Sequence, residues 1–226
     1  VSYNGNDNYS ATDNKTITVT ISLNDASVNV NNSTLELLVG DNFTIVATTV
    51  PAGLNVTYVP DDSGVVSVDN KGVVTALKEG TASITVKIGG DGVYVENSTI
   101  VTVTVSKIPT EIIVQNATVD MKVTDEVTPV VSLMPSGAGE LDFTSSDVSV
   151  VTVDGIGTIT AVGEGVANVT VRFIGNDKYA AAESKNITVT VSLKDASVSV
   201  NNSTLDLKVD DNFTFVATTT PEGLKS

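Results

Sequence analysis

The residue types present decide which chemistry this chain can do. Its 226 residues include no cysteine and no histidine. Ser-His-Asp and Cys-His nucleophilic centres and the usual zinc sites are therefore excluded. Asp61 and Asp62 are adjacent carboxylates, but neighbours on a strand or turn diverge, whereas glycoside hydrolysis needs two carboxyls facing each other across a cleft. Gly155-Ile-Gly157 lacks the following helix that a phosphate site requires. No lysine is singled out for an internal isopeptide crosslink. The chain is not expected to be an enzyme.

The side chains best suited to chemistry are asparagines. Asn-x-Ser/Thr, the acceptor pattern for N-linked glycan, occurs at Asn8, Asn14, Asn31, Asn32, Asn42, Asn55, Asn97, Asn116, Asn168, Asn186, Asn201, Asn202 and Asn212. In a Thr-rich strand, polar–apolar–Thr is also plain alternation, which accounts for Asn42, Asn55, Asn168 and Asn186 without a glycan. That alternation still puts Asn and Thr on the wet face. Asn31, Asn32 and Asn97 owe nothing to it.

Calcium is the other candidate ligand. Where the last strands of a domain return to its start, the hairpin between them lies near the chain's entry to that domain. Asp91 would then approach Asp25, and Asp177 the 107–110 linker, where oxygen ligands stiffen a joint. No Asp-x-Asp-x-Asp-Gly loop is present, and lone Asp beside Gly ordinarily serves a turn. No other cofactor is expected.

Charge narrows the partners. With 27 acidic and 12 basic residues the net charge is −15, which repels nucleic-acid phosphates and anionic lipid. It also keeps a protein of many exposed domains soluble. No apolar run reaches the ~18 residues of a membrane span, and no basic-then-apolar leader opens the chain. Any such signals are expected to lie outside this window.

A repeat organises the elements that must carry these residues. Ala26–Leu54 and Ala196–Leu224 share 22 identities in 29 positions at an offset of 170. Val1 to Leu23 aligns with Val171 to Leu193 at the same offset. Within that period, Val66-Ser-Val-Asp69, Gly72-Val-Val-Thr-Ala76 and Glu79-Gly80 match Val151-Thr-Val-Asp154, Gly157-Thr-Ile-Thr-Ala161 and Glu164-Gly165 at an offset of 85. Repeats this long are whole domains. The expected division is the last strands of a B-type domain at 1–23, an A-type domain at 24–107, a B-type domain at 108–193, and the opening strands of another A-type domain at 194–226. The two end pieces lack the middle strands of a sandwich and are expected to pair with neighbouring material.

Period-two alternation marks strands in both domains. Val101, Val103 and Val105 point one way while Thr102 and Thr104 point the other; Ile84, Val86, Ile88 and Val169, Val171, Phe173 behave alike. Turn signals recur at Gly40-Asp-Asn42, Pro51-Ala-Gly53, Asp69-Asn-Lys-Gly72 and Gly89-Gly-Asp-Gly92. For domain A the pattern predicts strands near 26–30, 34–39, 42–49, 55–59, 65–69, 72–77, 80–88 and 96–106, short and antiparallel, as in a sandwich. Aromatics are only 4% of the chain, so Val, Ile, Leu and Ala must fill the core. The short linker Ser106-Lys-Ile-Pro-Thr110 limits bending.

Phe143-Thr-Ser-Ser-Asp147, Val150-Val-Thr-Val-Asp154, Gly157-Thr-Ile-Thr-Ala161 and Gly163-Glu-Gly165, with their counterparts at 65–69, 72–76 and 80–84, resemble the signature of bacterial immunoglobulin-like group 2 domains. These are the modules of intimin- and invasin-type adhesins. Tyr58 and Phe143 stand where that family usually has Trp. The Asn/Thr-rich wording is also similar to adhesin-like surface proteins of methanogenic archaea. The resemblance implies an all-β fold of tandem immunoglobulin-like β-sandwiches in an extended array, outside the cell at its surface. It implies a structural stalk projecting a distal binding domain, whose host or cell-surface ligand this segment does not touch. Two alternatives stand beside it. One is a self-assembling extracellular filament or surface-layer component, whose partners are neighbouring repeats or other copies. The other is a glycan- or protein-binding module using Tyr3, Tyr9, Tyr94 or Tyr179. Three of these tyrosines hold matching hairpin places, which favours structural use.

Overall fold

A computed structural model describes residues 1–222. Among them every regular element is a strand. Backbone contacts divide the chain into Val1–Ile108 and Pro109–Ser226, and each unit has a core of its own.

The first unit contains β1 (Ser27–Val30), β2 (Thr34–Leu38), β3 (Asn42–Thr44), β4 (Ala47–Val50), β5 (Thr57–Pro60), β6 (Val66–Val68), β7 (Val73–Ala76), β8 (Gly80–Ile88) and β9 (Asn97–Ser106). One layer is a four-stranded sheet in the order β2-β9-β8-β5. The other combines the β1–β4 pair with the sheet β3-β7-β6. Alternate residues of β8 and β9 face the second layer: Ile84, Val86, Val101 and Val103 have no exposed surface. Their partners include Val28, Ile45 and Val74, so the core is aliphatic, as a chain with few aromatics requires. The intervening β8 and β9 residues, mostly Ser and Thr, form the wetter face.

The second unit repeats this plan with β10 (Glu111–Val114), β11 (Thr118–Lys122), β12 (Glu126–Val127), β13 (Val131–Met134), β14 (Asp142–Ser145), β15 (Val151–Val153), β16 (Ile159–Ala161), β17 (Gly165–Arg172) and β18 (Lys185–Ser192). Its sheets run β11-β18-β17-β14 and β12-β16-β15, with β10 on β13. Val151, Val169, Val171, Ile187 and Val189 are fully buried.

Two sequence expectations need correction. The strands are not all antiparallel: β2 runs parallel to β9, from Thr34 opposite Thr102 to Leu38 opposite Ser106. β11 runs parallel to β18 in the same way. The cause is the turn at 31–33, where the chain leaves the β1–β4 pair and enters the four-stranded sheet beside β9. The strand expected at 42–49 is two. β3 pairs with β7 and β4 with β1, and between them Asn31 stands in for a strand partner, its Oδ1 accepting from the Val46 N–H and its Nδ2 donating to the Thr44 carbonyl. Ile45 is buried while Val46 is exposed, and only the former keeps to the core.

Outside these two cores the chain is exposed. Residues 1–23 hold a turn in which Asn6 bridges Tyr9, and Lys15 and Val1 exchange main-chain bonds. Ile17, Val19 and Ile21, in the piece expected to hold the last strands of a B-type domain, are exposed, with no second layer against them among the described residues. β19 (Ser197–Val200) and β20 (Ala217–Thr220) pair in the register of β1 and β4.

Candidate functional site

Of the carboxylates singled out by the sequence, Asp61 and Asp91 are bonded to nearby main chain. Asp61 lies across from Ser83: its N–H donates to the Ser83 carbonyl, and its Oδ2 accepts from the Ser83 N–H at 2.7 Å. Ser146 does the same to Asn168, its hydroxyl oxygen accepting from the Asn168 N–H at 2.9 Å. The Asp61-Asp62 pair is thus the counterpart of Ser146-Asp147, and Asp61's carboxylate is committed to the main chain. The Ser63 side chain, then the N–H groups of Ser83 and Ser63, hold the Asp61 carboxyl below the ordinary aspartate value. The Ser149 hydroxyl and N–H do so for Asp147.

The turn before β7 carries an aromatic contact. Asp69 Oδ1 accepts from the N–H groups of Lys71 and Val73, and Asp154 Oδ1 from those of Ile156 and Thr158. Each turn closes on a glycine with positive φ, Gly72 at 81° and Gly157 at 87°. A Cβ at Gly72 would stand 2.8 Å from the Tyr58 ring and 2.5 Å from the Ile45 carbonyl oxygen; at Gly157 it would stand 2.8 Å from the Phe143 ring. The two rings that stand where the resembled family usually has Trp thus bring their Cζ ends against the glycines. Tyr58 also donates its hydroxyl to Ile45 O at 3.2 Å, and burial pushes its phenol above the ordinary value.

Three hairpins share one device. Asn6, Asp91 and Asn176 each accept, through one side-chain oxygen, the N–H groups two and three residues ahead. The second of these belongs to Tyr9, Tyr94 or Tyr179. The N–H groups of Val93 and Tyr94 hold the Asp91 carboxyl below its usual range. Asn24 bridges Tyr94, so the hairpin does meet the entry to its own domain, as the calcium expectation supposes. The Asp91 carboxylate, however, turns into its own loop, and among the described residues no three acidic side chains gather.

All thirteen sequon asparagines are exposed, but they differ in what holds them. Asn168 Oδ1 accepts from the Thr188 hydroxyl and Asn186 Oδ1 from the Thr170 hydroxyl, each at 2.9 Å. These two sequons lie opposite one another on β17 and β18, and each ties up the other. Asn42 Oδ1 accepts from Thr75 at 2.6 Å. Asn31 spans the break between β3 and β4: its Oδ1 accepts from the N–H groups of Val46 and Asn32, and its Nδ2 donates to Thr44 O at 3.4 Å. Asn201 Oδ1 accepts from the Val216 N–H in the same way. The amides of Asn32, Asn116 and Asn202 make no side-chain bond to any described residue. Alternation in the sequence foretold the exposure of Asn42, Asn55, Asn168 and Asn186; nothing in it foretold Asn31's role, since its partners lie 13 and 15 residues away.

Each unit has an open cleft, one of about 430 Å³ under the first unit's hairpin, lined by Leu54, Asn55, Thr57, Lys87, Asp91 and Glu96 among others, and one of about 540 Å³ in the second beside Leu133, Leu141, Phe143 and Ile156. At the second unit's hairpin the Asn176 amide donates to Ala138 O at 2.8 Å.

Residues 24–97 match the bacterial Ig-like domain (group 2). That match spans the Ig-like unit from its entry, through Tyr58 and the Gly72 turn, to the start of β9. An uncharacterized protein of Clostridium acetobutylicum is 34% identical over 140 residues, 60% of this chain; the chain spans 14% of that curated relative's length. Among solved structures, domains 4 and 5 of the S-layer protein SbsC are 20% identical, covering 76% of this chain and 99% of theirs, with a TM-score of 0.36. Drosophila N-cadherin EC1-4 is 15% identical, covering 76% and 50%, with a TM-score of 0.35. The CbhA fibronectin(III)-like modules of Clostridium thermocellum are 15% identical, covering 74% and 94%, with a TM-score of 0.31.

Proposed function

We propose that this chain is an extracellular structural module, a run of Ig-like bricks in the stalk of a surface protein. The parallel pairing of β2 with β9, and of β11 with β18, carries the reading. Force drawn from the two ends of a unit pulls β2 backward and β9 forward. Parallel strands under that load slide, so their evenly spaced hydrogen bonds are strained together rather than one at a time. The flanking bonds from Thr102 N–H to Ser33 O and from Val39 N–H to Ser106 O, 2.9 and 3.0 Å, lengthen the patch at both ends. The Ig-like match over 24–97 supports the same reading, as does a charge of −15, which suits repeats exposed to water.

The test is location and reach. Antibodies to residues 24–193 are expected to label intact cells. Removing residues 24–193 from the parent protein is expected to draw a distal tag toward the envelope by roughly 70–90 Å, two sandwiches of strand-length dimension. Labelling only after lysis, or an unchanged tag distance, would refute the stalk.

A further inference from the structure

The sequons include one position that recurs in every copy of the repeat. Asn32-Ser-Thr34, Asn116-Ala-Thr118 and Asn202-Ser-Thr204 stand 84 and 86 residues apart. All three occupy the turn that leaves the first strand of a unit. The main chain identifies the place: the preceding residues, Asn31, Gln115 and Asn201, donate their N–H to Val46 O, Val130 O and Val216 O at 3.0, 3.1 and 3.1 Å. The preceding side chain changes from Asn to Gln between unit types, yet the sequon one residue later is present in both. Asn8, Asn14, Asn42, Asn55, Asn97, Asn168, Asn186 and Asn212 have no sequon at the matching place of the other unit type. Strand alternation does not explain the recurrence, because these residues lie outside the strands.

The geometry points to this turn as an N-glycan acceptor site, used once per domain at Asn32, Asn116 and Asn202, with Asn31 and Asn201 kept bare. Glycan transfer needs an exposed asparagine in a surface turn with its amide free to turn. Asn32, Asn116 and Asn202 meet that demand. In the overlapping sequons Asn31-Asn32-Ser33-Thr34 and Asn201-Asn202-Ser203-Thr204 the first amide is held by the main chain of the strand break, and the second is not. The co-substrate is an oligosaccharide carried on a lipid phosphate. The side-chain amide nitrogen attacks the anomeric carbon, and a C–N bond forms as the C–O bond to phosphate breaks. The lipid phosphate leaves with the electron pair, and the nitrogen loses one proton. Asn168 and Asn186 stay unmodified in folded protein, since each amide oxygen is bonded to the opposite sequon's threonine in the middle of a sheet.

This inference rests on the extracellular reading, and the experiment separates the two. Protease treatment of intact cells that make the protein, with peptide mapping of what is released, reads location first and sugar second. Release of peptides from 24–222, with sugar at Asn32, Asn116 and Asn202 and none at Asn31, Asn201, Asn168 or Asn186, is the expected result. Release with these three bare, or with sugar at Asn31 or Asn201, overturns the glycan site alone. No release overturns the location and the site with it. In the parent chain, Asn32→Gln is expected to remove one glycan's mass without moving the melting temperature. Asn31→Gln is expected to keep that glycan and lower melting. A glycan that moves to Asn31 in the Asn32→Gln chain contradicts the assignment.

Discussion

The two units are built to one register but finished differently at three places. At the edge of β8 the first unit uses Asp61 where the second uses Ser146. Over the glycine turn it uses Tyr58 where the second uses Phe143. At the hairpin it has Asp91 where the second has Asn176. An aspartate has no N–H to offer the neighbouring turn, whereas the Asn176 amide ties its hairpin to Ala138 O. Main-chain pairing thus sets the shape, and side chains at the rim tune how tightly each brick is closed.

The largest test of this comparison concerns independence. Ile84 and Val169 hold the same fully buried place in the two cores. Ile84→Ala is expected to cost the first unit about 2–5 kcal/mol and to leave the second unchanged, so calorimetry should resolve two transitions with one displaced. A common shift of both would show the units fold as one. Next come the glycine turns. Gly72→Ala sets a Cβ against both a carbonyl and a ring, Gly157→Ala against a ring alone. Roughly 3 kcal/mol is expected for the first and 1–2 for the second, and equal losses in denaturant titrations would contradict the difference.

Much of this was legible from period-two alternation. Val101, Val103, Val105, Ile84, Val86 and Ile88 are buried as that pattern demands. The inward face of 43–49 was also legible, since its odd-numbered residues alternate inward without a break. The parallel pairing was not. It depends on where the turn at 31–33 sends the chain, and local periodicity carries no strand direction. Asn31 looked like one more sequon because its contacts are tertiary. The contact of Tyr58 and Phe143 with glycines 14 residues on was hidden for the same reason, although the two rings matched in position.

Smaller effects sharpen the rim comparison. Asn176→Asp removes the donor to Ala138 O and sets a carboxylate against that carbonyl, an expected loss of about 1 kcal/mol. Asp91→Asn in the first unit is expected to stay within about 0.5 kcal/mol, so the exchange should be lopsided in melting temperature. The least effect is acid sensitivity. Asp61, Asp91 and Asp147 all have depressed folded values, so what they contribute is present above the unfolded aspartate pKa of about 4. It fades as pH falls through the lower folded values. Asp61→Ser, which copies Ser146, is expected to flatten the first unit's pH dependence below pH of about 4 and to lower its stability slightly at neutral pH, where the carboxylate's contribution is present.

Pulling the whole chain between its two ends, one molecule at a time, bears most directly on the proposal that each unit is a separate load-bearing sandwich. Two abrupt unfolding events are expected, each releasing on the order of 250 Å of chain between the clamped strands at ~3.5 Å per residue. The force should fall several-fold when handles at residues 32 and 98 peel β2 from β9 instead of sliding them. A single event spanning both units, or gradual extension at low force in both geometries, would contradict it.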